Sequence, residues 1–365
     1  MVADLTTVFV LGAGFTRTFA PKPPLLVDDY DILELQSKFL GLPYASRLLE
    51  LEFNRPPPDK VDLERLMTLL EGGMPYDSYG GSEAEVAALA YELRKRFHAR
   101  VSGVEVPIRR QNQLRHFAKH LVESSSHVVT FNCDDIIDQK LWKVHRLTTI
   151  PGTGIPYWHP DGRYWFFCRP ASLTVEERNV FMDRASMHLL KLHGSPNWRV
   201  RRGAPSIAPV DSIMHFEDWL PDELGPEFGE RTATPADIEL HLEPEPLWVP
   251  PVLLKSAVAQ QPVLGLVWHR AFEVLHGAQQ VVFIGYSFPV TDIAVRTLFE
   301  EALEDLPPGN ITIVSLAEDP VDMEAIRTTY RQSFGDISDD QFHFDGASKW
   351  VREKLPRNGR HRRET

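Results

Sequence analysis

The stretch TTVFVLGAGFTR, residues 6–17, is an apolar run followed at once by two closely spaced glycines. The run Val8–Leu11 is typical of a strand buried on both faces of a parallel sheet. Gly12 and Gly14 permit a tight turn into a helix and a close approach of a phosphate group to the backbone. Arg17 stands where the third glycine of the dinucleotide fingerprint would fall. Two interpretations stay open, a phosphate-binding turn and a plain strand-to-helix turn.

Length and composition narrow the class of protein. The chain has 365 residues, 43% hydrophobic and 25% charged, which suits one large α/β domain with insertions or two domains. Its formal net charge of −12 argues against a free-standing nucleic-acid-binding protein, because an acidic surface repels a phosphate backbone. Residues 357–365 form a basic tail, for which a solvated terminus and a contact with a partner are both open.

The two cysteines, Cys133 and Cys168, are too few for a disulfide framework or a four-cysteine zinc site. The N-terminus lacks the charged and apolar regions of a signal peptide. No apolar segment approaches the roughly 18 residues that a membrane-spanning helix needs. We therefore expect a cytoplasmic protein that binds no zinc and no membrane.

Apolar runs of strand length alternate with helical patterns, which predicts an α/β fold with a Rossmann-like, doubly wound parallel sheet. The strands predicted after the first are His127–Phe131, His188–Leu192, Gln280–Ile284, Asn310–Ser315 and a short one near 342–344. Helices are predicted at 134–144 and 263–276, from 174 and from 321. Residues of about 28–125 read as an inserted helical module, in which Ser82 and Glu85 have the spacing of a capping box.

The remaining segments complete the predicted domain organisation. Residues 157–168 are rich in aromatic residues and suggest a hairpin, 217–245 are acidic and read as a surface loop or lid, and 247–254 predict a strand. We predict a single domain over 1–356, with an acidic loop insertion at about 203–246. Its sheet core is assigned to 6–17, 127–147, 188–198 and 247–345.

Polar residues follow four of the predicted strands. Ligands of open parallel sheets bind beyond the carboxyl ends of the strands, so these residues are expected to meet in one crevice. They are the turn at 12–17, Asn132-Cys133-Asp134, His193-Gly194-Ser195 and Gly285-Tyr286-Ser287. Each has an ordinary structural alternative: Asn132 or Asp134 as a helix cap, His193 as a turn histidine and Gly285 as a plain turn.

These four segments resemble, in order, the motifs of the sirtuin family. GAGFTR resembles the GAGxS phosphate turn, TFNCDDI at 130–136 resembles TQNxDxL, and IGYSFPVTD at 284–292 is similar to the GTS-type turn. LHGS at 192–195 is identical to the catalytic histidine segment. The resemblance covers the sheet core and implies NAD as the ligand, with cleavage of the bond between nicotinamide and ribose.

The resemblance also implies a role for each matched residue. Ala13, Gly14 and Thr16 would hold the pyrophosphate, within a cofactor-binding turn that includes Gly12, Phe15 and Arg17. Asn132 would hold the nicotinamide ribose and an attacking water, Asp134 the carboxamide, and His193 would be the general base. Gly285 would also bind the cofactor, and Ser287 would lie near the adenosine side. Such chemistry needs groups that position the ribose and a base tuned near neutrality.

Departures from the family narrow the expected reaction. No cysteine follows the histidine segment, so the zinc module of the deacetylases is absent, and Phe131 replaces the glutamine of TQN. The Phe-Gly pair that holds an acyl-lysine peptide has no counterpart near 249–255. These features resemble the bacterial SIR2-like branch that hydrolyses NAD in anti-phage defence. Water would then be the acceptor, and ADP-ribose and nicotinamide the products.

The resulting hypothesis is a regulated NAD hydrolase. We expect a homo-oligomer or a partner, such as a short Argonaute or a HerA-type ATPase, to control access to the site. One alternative is an NAD-dependent transferase, either a deacylase or an ADP-ribosyltransferase. Another is a non-catalytic module that senses NAD or ADP-ribose, against which the presence of both Asn132 and His193 argues.

Overall fold

The structure is a computed structural model of the chain. The residues it describes are 6–20, 27–28, 32–54, 61–72, 83–102, 104–145, 187–200, 213–215, 245–248, 262–289 and 292–356. The predicted hairpin at 157–168, the helix from 174, Cys168 and the basic tail lie outside them, as does nearly all of the acidic segment 217–245.

The bounds of the elements are as follows. The strands are β1 Thr7–Leu11, β2 Val27–Asp28, β3 Val61–Asp62, β4 His127–Thr130, β5 Leu189–Lys191, β6 Gly194–Val200, β7 Ile213–His215, β8 Glu245–Trp248, β9 Gln280–Ile284, β10 Ile311–Val314 and β11 Phe342–His343. The α-helices are α1 Ala13–Phe19, α2 Ile32–Phe39, α3 Pro43–Phe53, α4 Leu63–Gly72, α5 Glu83–Ser102, α6 Ile108–Glu123, α7 Ile136–His145, α8 Pro262–His276, α9 Ile293–Ala302, α10 Pro320–Phe334 and α11 Ala347–Lys354.

Six strands form one parallel sheet in the order β5-β4-β1-β9-β10-β11. Numbered by their place in the chain, they read 3-2-1-4-5-6, which is the strand order of the Rossmann fold. The chain builds outward from β1 to one side and then from β9 to the other, so the topological switch point lies between β1 and β9. The predicted fold class, a Rossmann-like doubly wound sheet with an inserted set of helices, is confirmed.

Helices cover both faces of this sheet. Phe9 of β1 packs edge-to-face against Phe117 of α6 at 5.3 Å and against Trp350 of α11 at 6.4 Å. Phe283 of β9 packs against Phe299 of α9 and Tyr330 of α10, each at 5.2 Å. The sheet strands are nearly all apolar because both of their faces are buried.

The chain divides into two compact units. The larger comprises Met1–Pro21, Glu105–Leu247 and Pro262–Thr365 and contains the parallel sheet, whereas the smaller comprises Lys22–Val104 and Trp248–Gln261. Within the smaller unit, helices α2 to α5 accompany the antiparallel pair of β2 and β3. The prediction of one domain over 1–356 stays a prediction.

The predicted capping box at the start of α5 is only partly visible, since Ser82 lies outside the described residues. The carboxylate of Glu85 accepts hydrogen bonds from the backbone N–H groups of Tyr44 at 3.0 Å and Ala45 at 3.3 Å. These are orphan donors in the first turn of α3, so Glu85 caps a neighbouring helix.

A second sheet was not predicted. β6 begins directly after His193 and pairs antiparallel with β7, with Trp198 opposite His215, and β8 completes the order β7-β6-β8. The prediction placed 188–198 within one sheet, whereas the chain leaves the parallel sheet at 192–193 and enters the other. Among the described helices, none has the length and apolar character to cross a membrane.

Candidate functional site

The four polar segments lie side by side at one edge of the sheet. They follow β5, β4, β1 and β9, which are consecutive neighbours in the sheet and run parallel, so their carboxyl ends meet at the same edge. The turn after β1 and the turn after β9 flank the switch point, where ligands of doubly wound sheets bind.

The glycine turn after β1 is locked to the turn after β9. Gly12 N–H donates to Ile284 O at 3.0 Å, and Gly14 N–H donates to Gly285 O at 2.8 Å. A Cβ on Gly14 would lie 2.7 Å from Gly285 Cα, and one on Gly285, whose φ is +62°, would lie 2.2 Å from Phe15 N. The glycines are therefore required by the contact of the two turns with each other, a reason that the sequence analysis did not give.

This contact limits which backbone groups of the turn face a ligand. The N–H of Phe15 donates to Gly12 O at 2.9 Å, so among the first four N–H groups of the described turn, Gly12 to Phe15, only that of Ala13 has no backbone acceptor. The Phe15 ring is buried against Phe19 and Phe117 and belongs to the core. Ala13 is exposed, as are Arg17 and Ser287 in the two turns.

The side chain of Asn132 has a fixed orientation. Its Nδ2 donates to Gly12 O at 2.8 Å and to Thr16 Oγ1 at 3.1 Å, which uses both amide hydrogens. Thr16 Oγ1 in turn donates to Asp134 Oδ2 at 2.6 Å. The backbone N–H of Asn132 donates to Thr130 Oγ1 at 3.1 Å. Asn132 therefore presents its remaining polar atom, the acceptor Oδ1, and no donor from the described part of the chain reaches that atom.

Asp134 lies behind this amide. It is 7% exposed, and Oδ1 accepts from Ile136 N at 3.2 Å while Oδ2 accepts from Thr16. Burial raises the pKa of Asp134, and the hydrogen bond from Thr16 and the charge of Lys191 oppose the rise. Ile136 is the first residue of α7, so the carboxylate of Asp134 also holds the start of that helix.

His193 occupies the turn between β5 and β6. Its ring meets the ring of Phe131 edge-to-face, with centroids 5.4 Å apart. Phe131 stacks on Tyr286 at 4.9 Å, and these two aromatic residues follow the strands on either side of β1. Trp268 Nε1 of α8 donates to Leu192 O at 2.8 Å and so fixes the backbone next to His193.

Three side chains that support the site were not predicted. Thr130 Oγ1 donates to Leu11 O at 3.0 Å and so ties β4 to β1 beside the glycine turn. Lys191 is fully buried in a strand of leucines, and Trp268 anchors the turn of His193 from another element. The sequence does contain a sign of the role of Lys191: a lysine inside a strand that is buried on both faces must have a partner, because an unpaired charge is not kept there. Within the described residues, no group of three or more His, Cys, Asp or Glu side chains could hold a metal ion.

Comparisons with known proteins give a likeness to Sir2 structures. The match to a Sir2 homologue in complex with NAD covers 96% of this chain and 91% of the length of that homologue, at 12% identity and a TM-score of 0.41. A mutant Sir2 homologue in complex with ADP-ribose covers 96% of this chain and 90% of its own length, at 12% identity and a TM-score of 0.41. Sir2Tm bound to a propionylated peptide covers 95% of this chain and 90% of its own length, at 12% identity and a TM-score of 0.35. No protein-family model matches the chain, and no curated protein does. At such scores the likeness carries no argument, and the strand order defines the fold.

Proposed function

We propose that the protein is an NAD hydrolase that cleaves the bond between nicotinamide and ribose, releasing nicotinamide and ADP-ribose. The observation that carries the proposal is the fixed amide of Asn132, which presents Oδ1 beside the glycine turn at the switch point. His193 follows the next strand of the sheet along this edge. An acceptor oriented for a ribose hydroxyl and an imidazole nearby are the groups that this reaction needs.

The arrangement fits a dinucleotide. The exposed N–H of Ala13 and the exposed side chain of Arg17 would hold the pyrophosphate, and Ser287 would face the adenosine half. Asn132 Oδ1 would accept a hydrogen bond from a hydroxyl of the nicotinamide ribose or from the attacking water. Asp134 is engaged by Thr16 and Ile136, so we assign it to orienting Asn132 instead of binding the carboxamide through its carboxylate.

The proposed reaction is a hydrolysis at C1′ of the ribose. The oxygen of water bonds to C1′ while the glycosidic bond breaks. The electron pair of the broken bond leaves with nicotinamide. His193 takes the proton of the water, and Asn132 keeps the water and ribose in line. The leaving group is already cationic in the substrate, so no acid is required to protonate it.

The test is release of nicotinamide from NAD by the purified full-length chain, alone and with proteins encoded by neighbouring genes. Asn132→Ala and His193→Ala are each expected to lower turnover by about 10² to 10⁴-fold, the usual contribution of a positioned general base or ribose contact. His276→Ala and Asn310→Ala, at exposed positions, serve as controls.

Three outcomes would contradict the proposal. Absence of nicotinamide release under every condition would rule out the proposed hydrolase activity. Formation of O-acyl-ADP-ribose or of ADP-ribosylated protein, with little free ADP-ribose, identifies a transferase. Turnover that persists in both Asn132→Ala and His193→Ala removes the assigned site.

We further propose that this hydrolase is a cytoplasmic, oligomeric effector of anti-phage defence, held inactive by assembly or by a partner ATPase or Argonaute. This wider role rests on the resemblance of the four motifs to the sirtuin family and on the departures that resemble its bacterial SIR2-like branch. Phage challenge of bacteria that express the chain with its neighbouring genes tests it. Cellular NAD is expected to fall on infection with the wild-type chain and to stay constant with His193→Ala.

A further inference from the structure

Lys191 is a buried lysine at the end of the strand that leads to His193. Neither its side chain nor that of Asp138 in α7 has any exposed surface. Nζ donates to Asp134 O and to Ser195 Oγ, each at 2.7 Å, and it lies 3.3 Å from Asp138 Oδ2 and 3.4 Å from Cys133 O. One ammonium group therefore joins the loop after β4, the start of β6 and helix α7.

Stability alone does not explain an ammonium group at this point. A buried ion pair adds little net stability, because desolvation offsets the attraction, and apolar residues of similar volume often replace such a pair without loss. An apolar residue cannot supply directed N–H groups, and those of Lys191 reach Cys133 and Asp134 in the loop after β4 and Ser195 at the start of β6. Asn132 precedes Asp134 by two positions, and His193 precedes Ser195 by two.

The charge of Lys191 also acts on the orientation of Asn132. Burial raises the pKa of Asp134, and the positive charge of Lys191 opposes that rise. Asp134 Oδ2 accepts the hydroxyl hydrogen of Thr16, which leaves the oxygen of Thr16 to accept from Asn132 Nδ2. The lysine thus supports the amide through the carboxylate as well as through the backbone.

We propose that Lys191 is a positioning residue that sets the separation and orientation of Asn132 and His193. The inference rests on the proposed hydrolase function. Lys191 has no exposed surface, so it acts through the two loops and not by contact with the substrate.

The first test compares Lys191→Met with the double variant Lys191→Met/Asp138→Leu. The single variant leaves the carboxylate of Asp138 buried without the Lys191 cation, whereas the double variant removes both charges, so its stability to urea should exceed that of the single variant. The expected kcat of the double variant is still about a hundredfold below that of the wild type, whereas its KM for NAD should stay within about threefold of the wild-type value. The reason is that the loops carrying Asn132 and His193 are displaced while the binding of NAD is kept. Lys119→Met, on a half-exposed helix face, controls for loss of a positive charge.

A purely structural lysine gives a different result, in which turnover recovers together with stability. Wild-type kcat in a stable double variant would overturn the inference while leaving the hydrolase in place. Hydrogen exchange supplies a readout that is independent of turnover. Amides of 131–135 and 192–195 should exchange faster in the double variant, with Val8–Leu11 as protected as in the wild type. Unchanged protection in both loops overturns the positioning role, even for a wild-type chain that releases no nicotinamide.

Discussion

The hydroxyl of Thr16 decides how the candidate site is oriented. It accepts from Asn132 and donates to Asp134, and the residue is 4% exposed. Thr16→Val keeps the shape but leaves Asp134 Oδ2 and one hydrogen of Asn132 unsatisfied, so we expect a loss of about 1–3 kcal/mol in unfolding free energy. Nicotinamide release should fall at least about tenfold, whereas Thr16→Ser, which keeps the hydroxyl, should stay within a few-fold of wild type.

Urea denaturation and nicotinamide release, measured on the same preparations, check this prediction. Thr329→Val is the matched control, because its hydroxyl donates to Ala325 O on a partly exposed helix face, and its stability should change by no more than about 0.5 kcal/mol. A Thr16→Val variant as stable and active as Thr16→Ser would show that the hydroxyl does not orient Asn132.

The location of the site follows from the sequence, but its orientation does not. Parallel strands bring their carboxyl ends to one edge, so the segments at Asn132 and Gly285 were placed by the strand pattern alone. Which atom of Asn132 faces outward depends on Gly12 and Thr16, which lie 120 and 116 positions away. Lys191 was missed because periodicity rules describe such a strand as apolar and ignore the pairing that keeps a charge there.

Two tight turns, one after β1 and one after β9, are assembled as an interlocking pair. Gly285→Ala would place a Cβ 2.2 Å from Phe15 N, at a φ of +62° that disfavours alanine. We expect this variant to lose at least about 2 kcal/mol of unfolding free energy or to fail to fold, because the neighbouring atoms are backbone and cannot move aside independently.

Gly265→Ala is the matched control for that prediction. Gly265 lies in helix α8, is exposed and has no atom within 4 Å of an added Cβ, so alanine should stabilise the protein by about 0.5–1 kcal/mol. Thermal or urea unfolding of the two variants distinguishes them by the sign of the change. Equal stability of Gly285→Ala and the wild type would contradict the interlocked turns.

Elements with strong local patterns were predictable, and those that depend on distant partners were not. The runs of β1, β4, β9 and β10 are apolar because helices cover both faces of the sheet, and a sequence pattern records that burial directly. β6 contains Pro196, and its partners β7 and β8 come from segments well separated in sequence. Periodicity within 194–200 therefore could not reveal its pairing, and proline is uncommon inside a strand.

The stability of the whole protein should depend on pH through two stacked histidines at the amino ends of β4 and β5, of which His188 is buried and His127 is partly buried. His127 begins β4 and stacks on His188, just before β5, with ring centroids 5.2 Å apart. His188 N donates to His127 Nδ1 at 3.2 Å, and Arg270 Nη2 lies 3.2 Å from His188 Nε2. Burial lowers the pKa of His127 to about 4, and burial together with His127 lowers that of His188 to about 3, with the charge of Arg270 acting in the same direction.

The sign of the effect follows from these shifts. Between pH 6.5 and about 4 the unfolded chain binds protons at both positions and the folded chain does not, so unfolding becomes easier as the pH falls. The free energy of unfolding should drop by roughly 1.4 kcal/mol per pH unit for each such histidine. The contribution is complete above pH 6.5 and is lost progressively toward pH 3 to 4. His120 and His343, whose pKa values are lowered mainly by burial, act in the same direction.

Urea denaturation at half-unit steps from pH 7 to 4.5 measures this slope, in a window above the range in which most carboxylates titrate. His188→Phe keeps a stacking ring but cannot be protonated. The fall of its unfolding free energy with pH should therefore be shallower than that of the wild type by about the contribution of one histidine, roughly 1.4 kcal/mol per pH unit. His276→Gln, at an exposed position, should leave the slope unchanged. A wild-type slope in His188→Phe would mean that the stacked pair titrates alike in the folded and unfolded chains, and the acid sensitivity would then have to come from other groups.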